Sequence, residues 1–147
     1  MSEILDDQLF LGDFAQVKVD TRFFIWKKFT HIINTASEIQ YSPILTQLLT
    51  ENGIETIKFP MYDTEDYNIE KVLEDVLCFM NIILSNGGKI YIHCAMGISR
   101  SATIVIAYLI RHKNMSFDEA YNWVKERRSW IRPNNRFMAD LKALKAD

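Results

Sequence analysis

Residues 89–112 hold two apolar runs joined by a short loop: KIYIHC at 89–94, and a helix-length stretch at 99–112 that is apolar through Ile104, Val105, Ile106, Leu109 and Ile110. A short, nearly continuous apolar run reads as a strand covered on both faces, and a helix with so little polar face has to be buried. Both demands are met together in the middle of a layered domain, with the strand inside a sheet and the helix packed against it. The remaining segments have to be arranged around this unit.

They divide into alternating strand and helix patterns. Ile4 to Leu11 alternates weakly and stops at Gly12-Asp13, which predicts one short strand and a turn. Helical spacing follows over Thr21 to Phe29, then a buried strand, HIINTA, at 31–36, and a helix from Ser42-Pro43 to about Thr50, ended by Asn52-Gly53. IETIKFP at 54–60 predicts a strand that ends at Pro60 and gives way to the acidic loop MYDTEDYN. From Asn68 to Leu84 apolar residues recur at three and four, a long amphipathic helix closed by Asn86-Gly87-Gly88. Ser116 with Glu119 has the form of a capping box opening a helix to about Arg128, and a last helix runs from about Asn135 to Ala146. Alternation of this kind predicts an α/β fold with a mainly parallel central sheet flanked by helices on both faces, in one domain over residues 1–147.

A chain of 147 residues is long enough to bury a core without disulfides, and Cys78 and Cys94 are too few to frame one. The N-terminal segment carries acids where a secretory signal carries basic residues, and no apolar run approaches the length of a membrane span. The expected location is the cytosol, with the nucleus as an alternative, and no membrane association is expected. The net charge of −2 hides an uneven spread: residues 1–90 hold 7 basic and 14 acidic side chains, residues 91–147 hold 10 and 5. The basic part follows the loop after the 89–94 strand, where it would draw in anions, although solvated helix faces explain the same numbers.

That loop is the informative stretch: His93-Cys94-Ala95-Met96-Gly97-Ile98-Ser99-Arg100-Ser101. A tight loop entering a helix N-terminus aims several backbone N–H groups at one point and adds the positive end of the helix dipole, which suits a phosphate dianion. Gly97 lets the backbone turn, with a positive φ if the loop demands one. Arg100 can offer phosphate two parallel N–H donors, a geometry lysine cannot copy. A cysteine at the loop's start feels the same field, so Cys94 is expected to be substantially thiolate and nucleophilic near neutral pH. The plain alternative for Cys94 is a small buried residue at a strand end.

HCAMGISRSAT at 93–103 resembles the dual-specificity protein phosphatases, members of the cysteine phosphatase superfamily marked by Cys, five residues, then Arg. The resemblance extends to HIINTAS, to the Asp63–Asn68 loop and to the segment Pro133-Asn134-Asn135-Arg136-Phe137-Met138, in the family's order and approximate spacing. It implies the phosphatase fold of the cysteine-dependent type. It further implies that Cys94 attacks phosphorus to form a phosphocysteine, while Arg100 and the backbone of Ala95, Met96, Gly97, Ile98 and Ser99 bind the phosphate oxygens. Ser101 would help the sulfur leave, and His93 would order the loop or support the thiolate. The family's acid stands five residues before an asparagine. Asp63 with Asn68 fits that spacing, which leaves Glu65 and Asp66 as a solvated turn; Asn68 is then a helix cap, a loop-positioning residue, or both. Arg136 stands where many relatives have a small residue.

Cys78, on the long apolar helix, is expected in the core, and Trp26, Trp123 and Trp130 as packing residues. No His, Cys and carboxylate set has metal-ligand spacing, so neither metal nor cofactor is expected. Relatives that act on phosphoinositides or RNA 5′ ends often carry basic residues or a different sequence in this loop. By the resemblance, uncharged Ala95, Met96 and Ile98 therefore favour phosphoprotein substrates, with no nucleic-acid partner, and the absence of the tyrosine-only enzymes' recognition loop implies a pocket open to phosphoserine and phosphothreonine as well as phosphotyrosine. The oligomeric state is open, with a slight preference for a monomer. Two other readings stand beside this one: a phosphate-binding protein without turnover, and the same chemistry on RNA 5′ ends or inositol lipids.

Overall fold

A computed structural model describes residues 1–146. Five strands, β1 Ser2–Leu5, β2 Leu9–Gly12, β3 His31–Ala36, β4 Glu55–Met61 and β5 Ile90–His93, form one sheet in the order β1-β2-β5-β3-β4. All neighbours run parallel except the antiparallel pair β1–β2. β5 is central and buried at all four residues, as its apolar run requires.

Among the described residues seven helices cover the sheet: α1 Phe14–Val19, α2 Thr21–Trp26, α3 Pro43–Glu51, α4 Glu70–Ser85, α5 Arg100–His112, α6 Phe117–Arg127 and α7 Asn135–Ala143. The period-2 alternation of the strands sorts the core into two layers. Ile32 and Tyr91 face Val17 of α1, Phe24 of α2 and Leu49 of α3, whereas Ile33, Ile90 and Ile92 face α4 to α7. Of α5, every residue from Arg100 to Ile110 is buried. The capping box of α6 is complete, with Ser116 Oγ accepting from the Glu119 N–H and the Glu119 carboxylate accepting from the Ser116 N–H.

The structure corrects several expectations. The single strand over Ile4 to Leu11 is a hairpin, β1 and β2, in which Asp7 takes the left-handed turn conformation at φ 53°. α1 is an addition, started by Asp13, whose side chain accepts from the Gln16 N–H. α2 ends at Trp26 rather than Phe29, and α7 at Ala143 rather than Ala146. β4 runs through Pro60 to Met61; as an edge strand it can spare the missing N–H.

Cys78 is exposed, not in the core. It shares an i, i+4 row with the exposed Glu74 and Ile82, while the buried rows of α4 pass through Val72, Val76 and Met80 and through Leu73, Leu77 and Leu84. Of the tryptophans only Trp123 packs as expected, its indole N–H donating to the Ile4 carbonyl at 2.9 Å. Trp26 and Trp130 are 72% and 57% exposed, each beside a cation, Lys27 and Arg128 respectively. Among the described residues, no helix is long and apolar enough to cross a membrane.

Candidate active site

The loop between β5 and α5 leaves the C-terminal end of the central strand, where open α/β sheets place their ligand sites. Its shape is fixed from outside. The Cys94 carbonyl accepts from His93 Nδ1 at 2.8 Å and the Ala95 carbonyl from the Phe14 N–H at 3.2 Å. Those of Met96 and Gly97 accept from Arg128 Nη2 and Nε at 3.1 and 2.8 Å. The Ile98 carbonyl accepts from the Arg132 N–H at 2.8 Å and that of Ser99 from the Thr103 N–H at 2.9 Å. A trans peptide points its N–H opposite to its C=O, so holding these carbonyls outward turns the N–H groups of residues 95–100 toward the hollow above Cys94. Gly97 has φ 66°, and a Cβ there would strike the Gly12 carbonyl and the Arg128 guanidinium, so only glycine suits the position.

Cys94 is buried, and its Sγ lies 3.1 Å from Ser101 Oγ. Burial alone pushes the thiol up. The hydroxyl and N–H of Ser101, the N–H of Gly97 and the charge of Arg100 outweigh it and hold the thiol below its ordinary value.

Arg100 is buried, and its five N–H groups can be accounted for one by one. Nη1 and Nη2 grip the Glu38 carboxylate end-on at 2.5 and 2.7 Å, and the second Nη1 hydrogen reaches the Met61 carbonyl at 3.2 Å. What remains is Nε–H and the outer Nη2–H, a parallel pair on one edge of the guanidinium with the spacing of two phosphate oxygens. The Arg100 contact holds the Glu38 carboxyl down at about 2, so the fork persists throughout the neutral range.

His93 is fully buried and stacked with Phe14 and Tyr41 at ring-centroid distances of 5.5 and 5.9 Å. Its Nδ1 faces a carbonyl, which can only accept, so Nδ1 carries the hydrogen and Nε2 accepts from the Tyr41 hydroxyl at 2.6 Å. Burial pushes the ring down to about 4. A neutral ring orders the loop but sets no charge against a thiolate. The same shift ties stability to pH. Between about 6.5 and about 4 the unfolded chain binds the proton that the folded chain refuses, so stability is full above 6.5 and falls with acidification by roughly 3 kcal/mol in all. Urea unfolding of wild type and His93→Gln from pH 7 to 4 should give a visibly flatter pH dependence in the variant. Parallel curves would mean that His93 is not the source of the acid sensitivity.

Asp63 follows β4 and is brought to the loop. Its Oδ1 accepts from Ser99 Oγ at 2.8 Å and from Asn134 Nδ2 at 3.0 Å. Glu65 and Asp66 are exposed, and neither bonds to the loop among the described residues. Asn68 Oδ1 accepts from the Glu70 N–H at 3.0 Å, so it meets the first N–H of α4 from outside the helix, whose N-cap position is Ile69. Arg136 pairs with Asp140 one turn on along α7.

Sequence reasoning missed Glu38, Tyr41 and Arg128. The position of Glu38, just past a strand that neighbours the Cys94 strand, was the available signal for it; Tyr41 and Arg128 carry no pattern of their own. No group of three or more His, Cys, Asp or Glu side chains able to hold a metal ion occurs among the described residues.

The family model described as "Dual specificity phosphatase, catalytic domain" matches residues 9–147. A "Probable rhodanese domain-containing dual specificity protein phosphatase" of Dictyostelium discoideum is 37% identical over 142 residues, 96% of this chain; the chain spans 28% of that relative's length. The crystal structure of DUSP15 superposes with a TM-score of 0.83 at 28% identity, covering 97% of this chain and 85% of the other. That of human tyrosine phosphatase-like serine/threonine/tyrosine-interacting protein gives 0.82 at 30% identity, covering 97% and 93%. The sheet order, the cradle closed by Arg100 and a profile match over nearly the whole chain agree, and the chain belongs to the dual specificity phosphatase catalytic-domain family.

Proposed function

We propose that this chain is a single catalytic domain, over residues 1–147, that hydrolyses phosphotyrosine and phosphoserine or phosphothreonine in proteins. The Cys94 thiolate attacks phosphorus, forming an S–P bond as the P–O bond to the substrate breaks, and Asp63 gives the leaving oxygen its proton. Water then attacks the phosphocysteine, returning a proton to Asp63 and releasing inorganic phosphate. The departing sulfur is stabilised by the Ser101 hydroxyl. Arg100 and the N–H groups of residues 95–100 hold the phosphoryl oxygens through both transition states.

The observation that carries this reading is the cradle itself: outward-anchored carbonyls around a thiol held below its ordinary value, with the free edge of Arg100 at its end. Uncharged side chains on the loop, with Met96 65% exposed at its rim, suit a peptide better than a polyanion. A thiolate nucleophile needs a reducing compartment, and the cytosol or nucleus is proposed as its place.

The test is turnover of matched phosphotyrosine and phosphothreonine peptides with chelator present, by wild type and Cys94→Ser. Release of phosphate by wild type and none by the variant is expected. Binding of both peptides without turnover would replace this reading by a phosphosite-binding role, and turnover confined to RNA 5′ ends or inositol lipids would move the substrate class.

A further inference from the structure

Asp63 is an exposed side chain on a loop, yet an acid that protonates a leaving oxygen has to be held in place. What holds it comes from two distant segments. Ser99 occupies the N-cap position of α5, where a serine hydroxyl ordinarily accepts from the helix's own N–H groups, but it makes no such bond. Its Oγ instead donates to Asp63 Oδ1 at 2.8 Å while accepting from the backbone N–H of Asn134 at 3.2 Å.

The orientation of the Asn134 amide is determined by its other partner. Its Oδ1 caps α7 by accepting from the Phe137 N–H at 2.9 Å, so its Nδ2 must face the opposite way, onto Asp63 Oδ1 at 3.0 Å and the Thr64 carbonyl at 3.4 Å. Both donors therefore fall on the same carboxyl oxygen. A carboxylic acid carries its proton on one oxygen, and the oxygen that already accepts two hydrogen bonds is the poorer place for it.

We propose that Asn134, with Ser99, is the positioning residue for the general acid: it pins Asp63 to the phosphate loop by Oδ1 and leaves Oδ2 to carry the proton. The inference rests on reading Asp63 as the acid. In the first step the Oδ2–H bond breaks as the leaving oxygen takes the proton, and in the second the attacking water returns one to Oδ2. Neither event requires Asn134 to gain or lose a proton. Because Asn134 is the N-cap of α7, the placement of the acid is tied to the C-terminal helix and not to the acidic loop alone.

Leaving-group dependence separates this role from a structural one. A good leaving group, p-nitrophenol, needs little help from an acid, whereas phenol or a threonine alkoxide needs much. Asn134→Ser keeps an oxygen to cap Phe137 but is too short to reach Asp63, and Ser99→Ala removes the second donor while leaving the Asn134 side-chain cap of α7 in place. For Asn134→Ser kcat on p-nitrophenyl phosphate should fall less than about threefold, and kcat on phenyl phosphate about tenfold or more, a part of the 10²–10⁴ that a positioned acid supplies. For Ser99→Ala, in the phosphate loop, both should fall, the loss on phenyl phosphate exceeding that on p-nitrophenyl phosphate by about threefold or more. Asp63→Asn serves as the reference, and the double variant with Asn134→Ser should be no worse than Asp63→Asn alone. Equal losses on both substrates in both single variants, with Asp63→Asn still discriminating, would overturn the positioning role. If Asp63→Asn itself fails to discriminate, the assignment of the acid falls and takes this inference with it.

Discussion

Arg100→Lys is expected to lower kcat/KM on a phosphotyrosine peptide by roughly 10³-fold, since removing even one donor from a preorganised oxyanion site costs about 10²–10³. The guanidinium divides its hydrogens between two tasks, the end-on grip on Glu38 and the Met61 carbonyl on one side and the free parallel pair on the other. A lysine ammonium has three donors in a cone and can reproduce neither the end-on grip nor the parallel pair. Glu38→Gln tests the division directly. It keeps an oxygen for one Nη but loses the charge that orients the plane, so KM should rise about tenfold with a smaller fall in kcat, as for a lost hydrogen bond to a charged group. A Glu38→Gln enzyme with unchanged KM would show that Arg100 finds its orientation without the carboxylate.

The sequence made the middle of the molecule legible and its polar scaffolding much less so. β5 and α5 could be read because a strand and a helix buried on all sides leave long apolar runs, and the loop between them because its residue types are rare and closely spaced. Asp63 was legible only through spacing to Asn68. The hairpin was read as one strand because its turn uses Asp7 in place of a glycine, and α1 was missed because six residues are too few to show a helical period. Glu38, Tyr41 and Arg128 escaped for another reason: each acts through a partner far along the chain, 62 residues away for Glu38 and 31 for Arg128. Periodicity reports which face a residue occupies, and a motif reports its neighbours; neither reports which distant carbonyl a guanidinium will reach. Cys78 failed on the same limit, since an apolar residue beside a buried stripe looks like part of it until the helix is seated.

Arg128 is where that scaffolding bears most weight, and Arg128→Met should both destabilise the fold and weaken phosphate binding. The guanidinium is buried, stacked on Trp130 with its carbon 4.6 Å from the ring centre, and spends three donors on the Met96 and Gly97 carbonyls and on Ser2 Oγ. Methionine fills the space of the stem but leaves the buried Gly97 carbonyl and the part-buried Met96 carbonyl unpaired, at about 1–3 kcal/mol for a buried one and less for the other. Removing a buried charge returns part of its desolvation cost, so the net loss should be roughly 2–4 kcal/mol, read as a lower urea midpoint. The functional loss follows from geometry. Two of the carbonyls that turn the loop's N–H groups inward would be free to rotate, and inhibition by inorganic phosphate should weaken by about tenfold or more along with kcat. Arg128→Lys separates the contributions of charge and shape. A lysine restores a positive charge beneath the loop but reaches at most one of the two carbonyls in the same plane, so it should recover part of the stability and little of the phosphate affinity. Full recovery of both would mean that the charge alone matters, and that the loop holds its shape without being gripped at two successive peptides.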